Sequence, residues 1–444
     1  MNTRRDFLRT AAAAAGMLGI ERFGMMSALA QTAPNYKALV CVFLFGGNDG
    51  HNTVVPMGTQ AYNAYKAARG GLALPTANTQ LLPVNAANGT PFGLNSGLQA
   101  IHPLWAQKRL AVVANMGMLV QPTSRAQFLA NAVPLPTNLF SHSDQVVQMQ
   151  SGAPNTGVGT GWAGRVADAV TTGPVGFPPS VSLAGPQLFC TGNKVQSASL
   201  IPGFDLSLGG MSIWPQSAAD GRKTAFQEML TFDNGLALVQ SANNVMSDAM
   251  ALNGMLKSLS ASGGLTTVFP GTSLGNQLKE VAKIMKLRGS LGVTRQVFFC
   301  SIGGFDTHGS QDWMHWDLLR QVGQAMNAFY NATVELGVAD QVVTFTASEF
   351  GRTLQPSGAG SDHGWGNHQL VMGGAVKGGD VFGAFPTMAL GGPDDTGSRG
   401  AMIPTTSVDQ FGATLARWFG VPAASMPAIF PNLGKFAVQD LQFV

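Results

Sequence analysis

The chain has 444 residues, of which 45% are hydrophobic and only 11% are charged. Its formal net charge is +3, and four basic and two acidic residues lie within the first thirty, so the remainder is almost neutral. This balance argues against a nucleic-acid partner, which would select a clustered excess of basic residues.

The N-terminus has the pattern of a twin-arginine signal peptide. Arg4 and Arg5 precede an apolar stretch over residues 11–20, and Ala28-Leu29-Ala30 supplies a small-residue cleavage site. We expect the twin-arginine translocase to export the protein and residues 1–30 to be removed.

The mature protein is then expected in the periplasm or outside the cell. The twin-arginine route moves folded proteins, which favours a metal or cofactor that is loaded before export. No later segment approaches the roughly 20 apolar residues that span a bilayer, so we expect no transmembrane segment after cleavage.

Apolar strand-like runs alternate with helical patterns along residues 31–444, which predicts a single α/β domain with a mostly parallel sheet and helices on both faces. The predicted strands are Ala38–Phe45, Leu110–Asn115, Gln296–Ile302, Val342–Thr346 and Gln369–Met372. The predicted helices include Leu98–Lys108, Thr224–Lys257, Leu274–Leu287 and Trp316–Leu336. The change of composition at about 151–271 predicts an insertion or cap over the sheet.

Two predicted strands run into the same motif. Residues 40–45 precede Gly46-Gly47-Asn48-Asp49-Gly50-His51, and residues 297–302 precede Gly303-Gly304-Phe305-Asp306-Thr307-His308. Both motifs read Gly-Gly-x-Asp-x-His. Side chains at i and i+2 of an extended backbone project to the same side, so each Asp and His can converge on one point. Ligands bind at the carboxyl ends of strands in open α/β sheets, which makes both loops candidate site elements.

Further polar residues lie close to other predicted elements. Glu349 closely follows the strand over 342–346, and Ser141 with His142 precedes a helix-like segment. A Gly-rich loop before the last strand contains three more candidates. The candidate metal ligands are Asp49, Asp306, His308, Glu349, Asp362, His363 and His368.

Histidine is scarce, yet most of the histidines have an acidic neighbour. Five of the seven have an Asp within two positions: His51, His142, His308, His315 and His363. About one or two would be expected at this composition. The excess favours imidazole and carboxylate ligands for a divalent metal, or carboxylate-held histidines in acid–base chemistry. Zinc, manganese, magnesium and calcium all remain open.

Structural roles compete with some of these assignments. Asn48-Asp49-Gly50 is favourable turn sequence, so Asp49 has a turn-shaping role as its alternative. Glu349 has an ion pair with Arg352 as an alternative to metal binding. We expect His315, between two tryptophans, to be a packed helix residue.

These motifs together resemble a known exported family. Phe-Gly-Gly-Asn-Asp-Gly-His-Asn, Gly-Gly-Phe-Asp-Thr-His, Ser-Glu-Phe-Gly-Arg-Thr and Asp-His-Gly-Trp-Gly-Asn-His, with the signal, are similar to the family catalogued as domain of unknown function 1501. The resemblance covers nearly the whole mature chain. It implies the alkaline phosphatase-like superfamily, which includes sulfatases, phosphoglycerate mutase and phosphonate hydrolases.

The resemblance also implies roles for particular residues. Asp49 matches a first-strand metal ligand, Asp306 and His308 look like an Asp…His ligand pair, and His363 matches a late histidine ligand. Ser141 lies where the superfamily places its nucleophile, with His142 beside it as the alternative.

Two departures from the superfamily pattern affect the expected site. Asp306 and His308 are two positions apart where alkaline phosphatase and the mutase have a spacing of four. Glu349-Phe350-Gly351 stands where relatives have Asp-His-Gly, so one histidine ligand is missing. These departures argue against a two-metal phosphatase centre.

The sequence favours an exported, metal-dependent hydrolase of phosphate or sulfate esters, acting on a small-molecule or polymer substrate. A periplasmic binding or assembly protein with the same fold and a partial metal site is the alternative. An oxidoreductase would suit the export route but matches no motif. The hydrolase hypothesis predicts that Asp49, Asp306, His308 and His363 converge at the carboxyl edge of the sheet.

Overall fold

The computed structural model describes residues 35–76, 79–171, 177–195, 197–203, 210–232, 235–261 and 264–444. The predicted signal peptide, residues 1–30, lies outside the described residues. The strands are β1 Lys37–Leu44, β2 Val54–Pro56, β3 Leu81–Asn85, β4 Pro91–Asn95, β5 Leu110–Gly117, β6 Ser180–Ser182, β7 Ser197–Ser199, β8 Arg295–Ile302, β9 Val342–Ala347, β10 Arg352–Ser357, β11 Gly360–His363, β12 Asn367–Gly373, β13 Val381–Phe382 and β14 Thr406–Ser407.

Helices lie between most of these strands, as an α/β chain requires. The α-helices are α1 Gly50–Thr53, α2 Thr59–Arg69, α3 Pro103–Ala106, α4 Arg125–Leu129, α5 His142–Ser151, α6 Trp162–Val170, α7 Gln216–Thr231, α8 Ala237–Ala261, α9 Ser273–Lys286, α10 Gln311–Glu335, α11 Val408–Phe419 and α12 Met426–Ile429. The 3₁₀ helices are Gly70–Leu72, Ser96–Ala100, Leu188–Cys190, Ala339–Gln341, Ala423–Ser425 and Leu433–Lys435.

The central sheet has the order β13-β5-β12-β9-β1-β8-β6-β7, with β14 also paired to β5. Among the described strands of this sheet, only β12 runs antiparallel to its neighbours β5 and β9, and the other pairs of the sheet are parallel. Two smaller sheets, β2-β4-β3 and β10-β11, lie beside it. The predicted fold class is therefore confirmed: a mostly parallel sheet within an α/β domain.

Both faces of the sheet are buried, because alternate residues of the central strands enter two separate apolar cores. Val40 and Phe298 lie in one core, and Cys41, Phe299 and Phe345 lie in the other. All five side chains are fully buried. This two-sided burial explains why the strands read as continuous apolar runs and not as alternating ones.

Two of the predicted helices differ from the structure. The predicted helix Leu98–Lys108 is a 3₁₀ helix followed by the short α3, because Pro103 starts a new helix and lacks the N–H that would continue the old one. The predicted helix Thr224–Lys257 is two helices, α7 and α8, and Gly235 between them has a φ of +76°.

Residues 151–271, the predicted insertion, include two kinds of structure. The strands β6 and β7 extend one edge of the central sheet beyond β8. The helices α7 and α8 contact each other, and Ala219 is the one residue of α7 that is buried. Within the described residues, no helix has the length and hydropathy that crossing a membrane requires.

Candidate metal centre

The loops that follow β1, β8 and β9 meet at one edge of the sheet. The register pairs Leu44 with Ile302 and Phe43 with Ala347, so the three parallel strands end at the same level. Gly46 adopts a φ of +115°, and a Cβ there would lie 2.3 Å from the backbone nitrogen of Asp306. A glycine is therefore required where the first loop packs against the second.

Four side chains from three parts of the chain converge beside this edge. Asp306 Oδ1 lies 2.9 Å from His308 Nε2, 3.4 Å from His363 Nε2 and 3.5 Å from His142 Nε2. His363 Nε2 lies 3.1 Å from His142 Nε2 and 3.2 Å from His308 Nε2. We call this set the donor cluster.

Five donor–donor distances within the cluster have the spacing of ligands around one metal ion. Ligands about 2.0–2.1 Å from a tetrahedral ion such as zinc lie about 3.3 Å from one another. The five distances above range from 2.9 to 3.5 Å, and the donors that all lie within 4.8 Å of one another form two sets of three, His142–Asp306–His363 and His308–Asp362–His363. Three imidazole nitrogens and one carboxylate oxygen are also a donor set that zinc accepts.

Hydrogen bonds at Nδ1, on the side of the ring away from the cluster, fix the orientation of two imidazoles. His142 Nδ1 lies 2.9 Å from Glu349 Oε1, and His363 Nδ1 lies 2.8 Å from the carbonyl oxygen of Phe140. Because both partners are acceptors, each Nδ1 carries the proton and each neutral ring directs an Nε2 lone pair into the cluster. Two lone pairs 3.1 Å apart repel unless a proton or a cation lies between them. A cation therefore fits the donors.

The ionisation of the cluster favours metal binding at neutral pH. Burial raises the pKa of Asp306, but the hydrogen bond and charge of Arg352 outweigh it and hold that pKa below its ordinary value. Burial also lowers the pKa of His363. The hydrogen bond to Glu349 raises the pKa of His142, so a proton competes with a cation for this ring in particular.

The donor cluster is accessible to a ligand. The side chain of His308 is 48% exposed and that of Asp306 is 44% exposed. A shallow cleft of about 450 Å³ opens on His142, Asp306 and Glu349, and its wall includes Ser143 and Gly304. A substrate can therefore reach the donors from solvent, although Glu349 itself is buried.

Asp49 belongs to a different environment. Its carboxylate is fully buried and forms an ion pair with Arg69. It also accepts hydrogen bonds from Gln311 Nε2 and, at 3.3 Å, from the backbone N–H of Asn52. The structure thus brings Asp306, His308 and His363 together as predicted, and His142 lies with them. Asp49 does not join them, because it forms a separate buried ion pair.

The other predicted ligands have distinct positions. Glu349 supports His142 and accepts from the N–H of Gly46 at 2.8 Å, while Arg352 pairs with Asp306 at 2.7 Å and not with Glu349. Asp362 offers an oxygen within 4.8 Å of donor nitrogens of His308 and His363.

His368 lies in the interior. Its Nδ1 accepts from the backbone N–H of Asn115 at 3.0 Å, and its ring stacks on Phe385. A neutral ring then carries its proton on Nε2, which leaves no free lone pair for a metal. His315 is buried, as expected for a packed helix residue, and its Nε2 lies 2.9 Å from Asn48 Oδ1.

The two candidate catalytic residues, Ser141 and His142, have different surroundings. His142 is part of the donor cluster, whereas the Ser141 hydroxyl bonds to Asp144 Oδ2 and lies 3.2 Å from the Ser143 hydroxyl. Ser143, which the sequence reasoning missed, is the serine of this pair that lines the cleft. The Phe140 carbonyl was also missed, because a backbone acceptor leaves no signal in residue type.

Several solved structures are similar to the chain, whereas no curated protein matches it. Ps i-CgsB has a TM-score of 0.35, 9% identity, and coverage of 90% of this chain and 77% of that chain. The PsFucS1 sulfatase from Pseudoalteromonas sp. has a TM-score of 0.35, 9% identity, and coverage of 89% and 72%. The phosphonate monoester hydrolase of Agrobacterium radiobacter has a TM-score of 0.33, 10% identity, and coverage of 87% and 74%.

One family model matches the chain over most of its length. The match covers residues 36–420, and the family is described as "Protein of unknown function (DUF1501)". The matched range includes every residue of the donor cluster. The chain therefore belongs to the DUF1501 family.

Proposed function

We propose that the protein is a metal-dependent hydrolase of phosphate or sulfate esters that acts outside the cytoplasm. The observation that supports this most is the convergence of three imidazole nitrogens and one carboxylate oxygen beside an open cleft. His142, Asp306, His308 and His363 would hold the ion, and their number and spacing favour zinc. When bound, the ion would polarise an ester oxygen and lower the pKa of a water molecule.

The chain's own residues prepare the site. Glu349 and the Phe140 carbonyl hold two imidazoles in the tautomer that binds a metal. Arg352 keeps Asp306 ionised through a hydrogen bond of 2.7 Å. Ser143 adds a hydroxyl at the cleft, and Ser141 stays the nucleophile that the family resemblance implies, with His142 as the alternative.

Metal content and turnover test this proposal together. Protein purified from the periplasm should contain about one divalent ion per chain and should turn over in a screen of phosphomonoesters, phosphodiesters and sulfate esters. His308→Ala and His363→Ala should lose the ion and the activity. His102→Ala is the matched control, because this histidine contacts the Pro83 carbonyl on another part of the surface. Full activity in metal-free protein would contradict the proposal.

The nucleophile requires its own pair of variants. If Ser141 attacks the ester, Ser141→Ala should abolish turnover while the metal content stays near one per chain. Ser143→Ala should do so if the cleft-lining hydroxyl attacks. Full turnover in both single variants would leave water as the nucleophile.

One observation favours a second candidate function. If all four donors bound the ion they would complete a tetrahedral set, and closed sets of four are typical of structural metal sites. A non-catalytic metal-binding or assembly protein would contain one ion per chain and show no turnover with any ester class. The same screen therefore separates the two candidates.

The export route has a separate test. Arg4→Lys with Arg5→Lys should leave precursor in the cytoplasm, because the translocase reads the paired guanidinium groups and not charge alone. Cell fractionation with an antibody measures this. A normal periplasmic yield of the double variant would refute twin-arginine export.

A further inference from the structure

We infer that Arg399 recognises the anionic group of the substrate, an inference that rests on the proposed function. Arg399 is the outer member of a chain of contacts that leads from the donor cluster to the surface. Its Nη1 lies 3.1 Å from Asp362 Oδ2, and Asp362 offers an oxygen within 4.8 Å of donor nitrogens of His308 and His363. These contacts in series place the guanidinium within about 10 Å of those nitrogens.

A bridging tetrahedral oxyanion fits within that limit. A metal–oxygen bond of about 2 Å, one edge of the oxyanion and a charge-assisted hydrogen bond of about 2.8 Å together span roughly 7 Å. The ion itself would lie about 2 Å from the histidine nitrogens. A phosphate or sulfate group can therefore bind the ion with one oxygen and Arg399 with another.

The backbone at Arg399 is fixed, although its side chain is exposed. The carbonyl of Arg399 accepts from the N–H of Gln355 at 2.9 Å, and the carbonyl of Gly400 accepts from Leu354 at 3.0 Å. Asp395, fully buried, accepts from the N–H groups of Gly397 and Gly400 at 3.0 and 2.9 Å. A rigid base of this kind reduces the entropy lost when the side chain binds a ligand.

The other guanidinium at the site is not open to a substrate. The Arg352 side chain is fully buried and donates to Asp306 and to the Ser361 carbonyl. The Arg399 side chain is 46% exposed, and Asp362 is its ion-pair partner. Recognition of an incoming anion therefore falls to Arg399.

The chemistry of the pair defines the ligand class. A guanidinium has five N–H donors in a planar fork, so Arg399 can keep Asp362 on one edge and take two oxygens on another. Asp362 also accepts a hydrogen bond from the backbone N–H of His363 at 2.9 Å, which ties it to the donor cluster. The preferred substrates are esters that retain a negatively charged oxygen, and neutral carboxylic esters gain nothing from Arg399.

Calorimetric titration with inorganic phosphate tests this inference without needing turnover. The zinc-loaded wild type, Arg399→Gln and Arg399→Lys should be titrated at one ionic strength, with zinc content measured in each. We expect Arg399→Gln to bind phosphate at least tenfold more weakly at unchanged zinc content, and Arg399→Lys to lie between. Arg109→Gln is the matched control, since Arg109 forms a similarly exposed pair with Asp340 and should leave phosphate affinity unchanged.

The outcomes separate this inference from the proposed function. Equal phosphate affinity in the wild type and Arg399→Gln, or no phosphate binding by zinc-loaded wild type, would overturn the role of Arg399 while leaving the metal centre intact. Failure of the wild type to take up metal would overturn the proposed function. In that case a tenfold loss of phosphate binding in metal-free Arg399→Gln would still support anion recognition by Arg399, and an equal affinity would overturn it.

Discussion

The two Gly-Gly-x-Asp-x-His loops have nearly the same sequence and opposite environments. After β8, Asp306 and His308 are 44% and 48% exposed and face other imidazoles. After β1, Asp49 is fully buried against Arg69, and both ring nitrogens of the buried His51 lack a hydrogen-bond partner. The motif sets the direction of the side chains at a strand end, but the elements packed over the loop decide whether those side chains meet a ligand or a counter-ion.

The difference arises from the segment that comes after each loop. The first loop continues into α1 and β2, and α2 then brings Arg69 over Asp49. The second loop continues into α10, whose Gln311 and His315 contact Asp49 and Asn48 of the first loop, while the side chains of Asp306 and His308 stay about half exposed. The buried loop is therefore expected to contribute to stability and the open loop to chemistry.

The largest expected effect on stability comes from breaking the buried ion pair between Asp49 and Arg69. Asp49→Asn leaves the Arg69 charge buried without its partner, which should cost about 3–5 kcal/mol of unfolding free energy. Denaturation in urea measures this loss, and metal content should stay near one per chain in the folded fraction. A metal-free but fully stable Asp49→Asn protein would reverse the roles assigned to the two loops.

Asp409 is a second buried acid, and its environment differs from that of Asp49. Burial raises the pKa of Asp409 to about 7, although its Oδ1 accepts from the N–H of Asn432 at 3.0 Å. Because the folded pKa lies above the unfolded value of 3.8, Asp409 contributes stability that is present below pH 4 and is lost as the pH rises through 7.

Asp409→Asn should remove this pH dependence. Each pKa unit corresponds to about 1.4 kcal/mol, so the unfolding free energy of the wild type should fall by a few kcal/mol relative to the variant between pH 4 and 8. Urea denaturation at four pH values measures the difference. Parallel stability curves for the two proteins would show that Asp409 does not titrate in this range.

Glu349→Gln tests the hydrogen bond between Glu349 and His142 that orients one imidazole of the donor cluster. The amide oxygen can still accept from His142, but the negative charge is lost, so metal affinity should fall about 10- to 100-fold. Competition with a zinc-binding dye measures the affinity. Thr346→Val is a nearby control, since the Thr346 hydroxyl bonds to Gln369 Oε1 and to the N–H of Leu370 and not to Glu349 or the cluster. An equal loss in both variants would indicate a general disturbance of the loop.

The smallest expected effect on folding is in the open loop. His308→Ala removes a half-exposed side chain, so the unfolding free energy of metal-free protein should change by less than about 0.5 kcal/mol. Its effect should appear only with metal: a chelator should lower the melting temperature of the wild type and leave that of His308→Ala unchanged. A large chelator effect in the variant would place the metal elsewhere.

The sequence predicted more of the sheet than of the site. Continuous apolar runs such as Val342–Thr346 identify buried parallel strands because every residue contributes to the pattern. The pairing of Asp306 with His308 was likewise visible, since both lie on one strand end. Pro103 marks the point where the predicted helix 98–108 breaks, because Pro cannot donate the hydrogen bond that would continue it.

The parts that were missed depend on distant segments. Arg69 lies twenty positions after Asp49, and nothing local indicates that it folds over that carboxylate. His142 was a predicted catalytic residue, but its place among the metal donors depends on a helix that begins more than 160 positions before Asp306. Arg399 lies in a loop whose position depends on hydrogen bonds from the N–H groups of Gly397 and Gly400 to the Asp395 carboxylate.

X-ray absorption at the zinc K-edge tests the central claim most directly, because it reports the ligands of the bound ion. The zinc-loaded wild type should show three imidazole nitrogens and one oxygen at about 2.0–2.2 Å. His308→Ala should lose one imidazole contribution, and Asp49→Asn should give the wild-type spectrum. A shell of oxygens without imidazole, or a spectrum altered by Asp49→Asn and unchanged by His308→Ala, would contradict the metal centre described above.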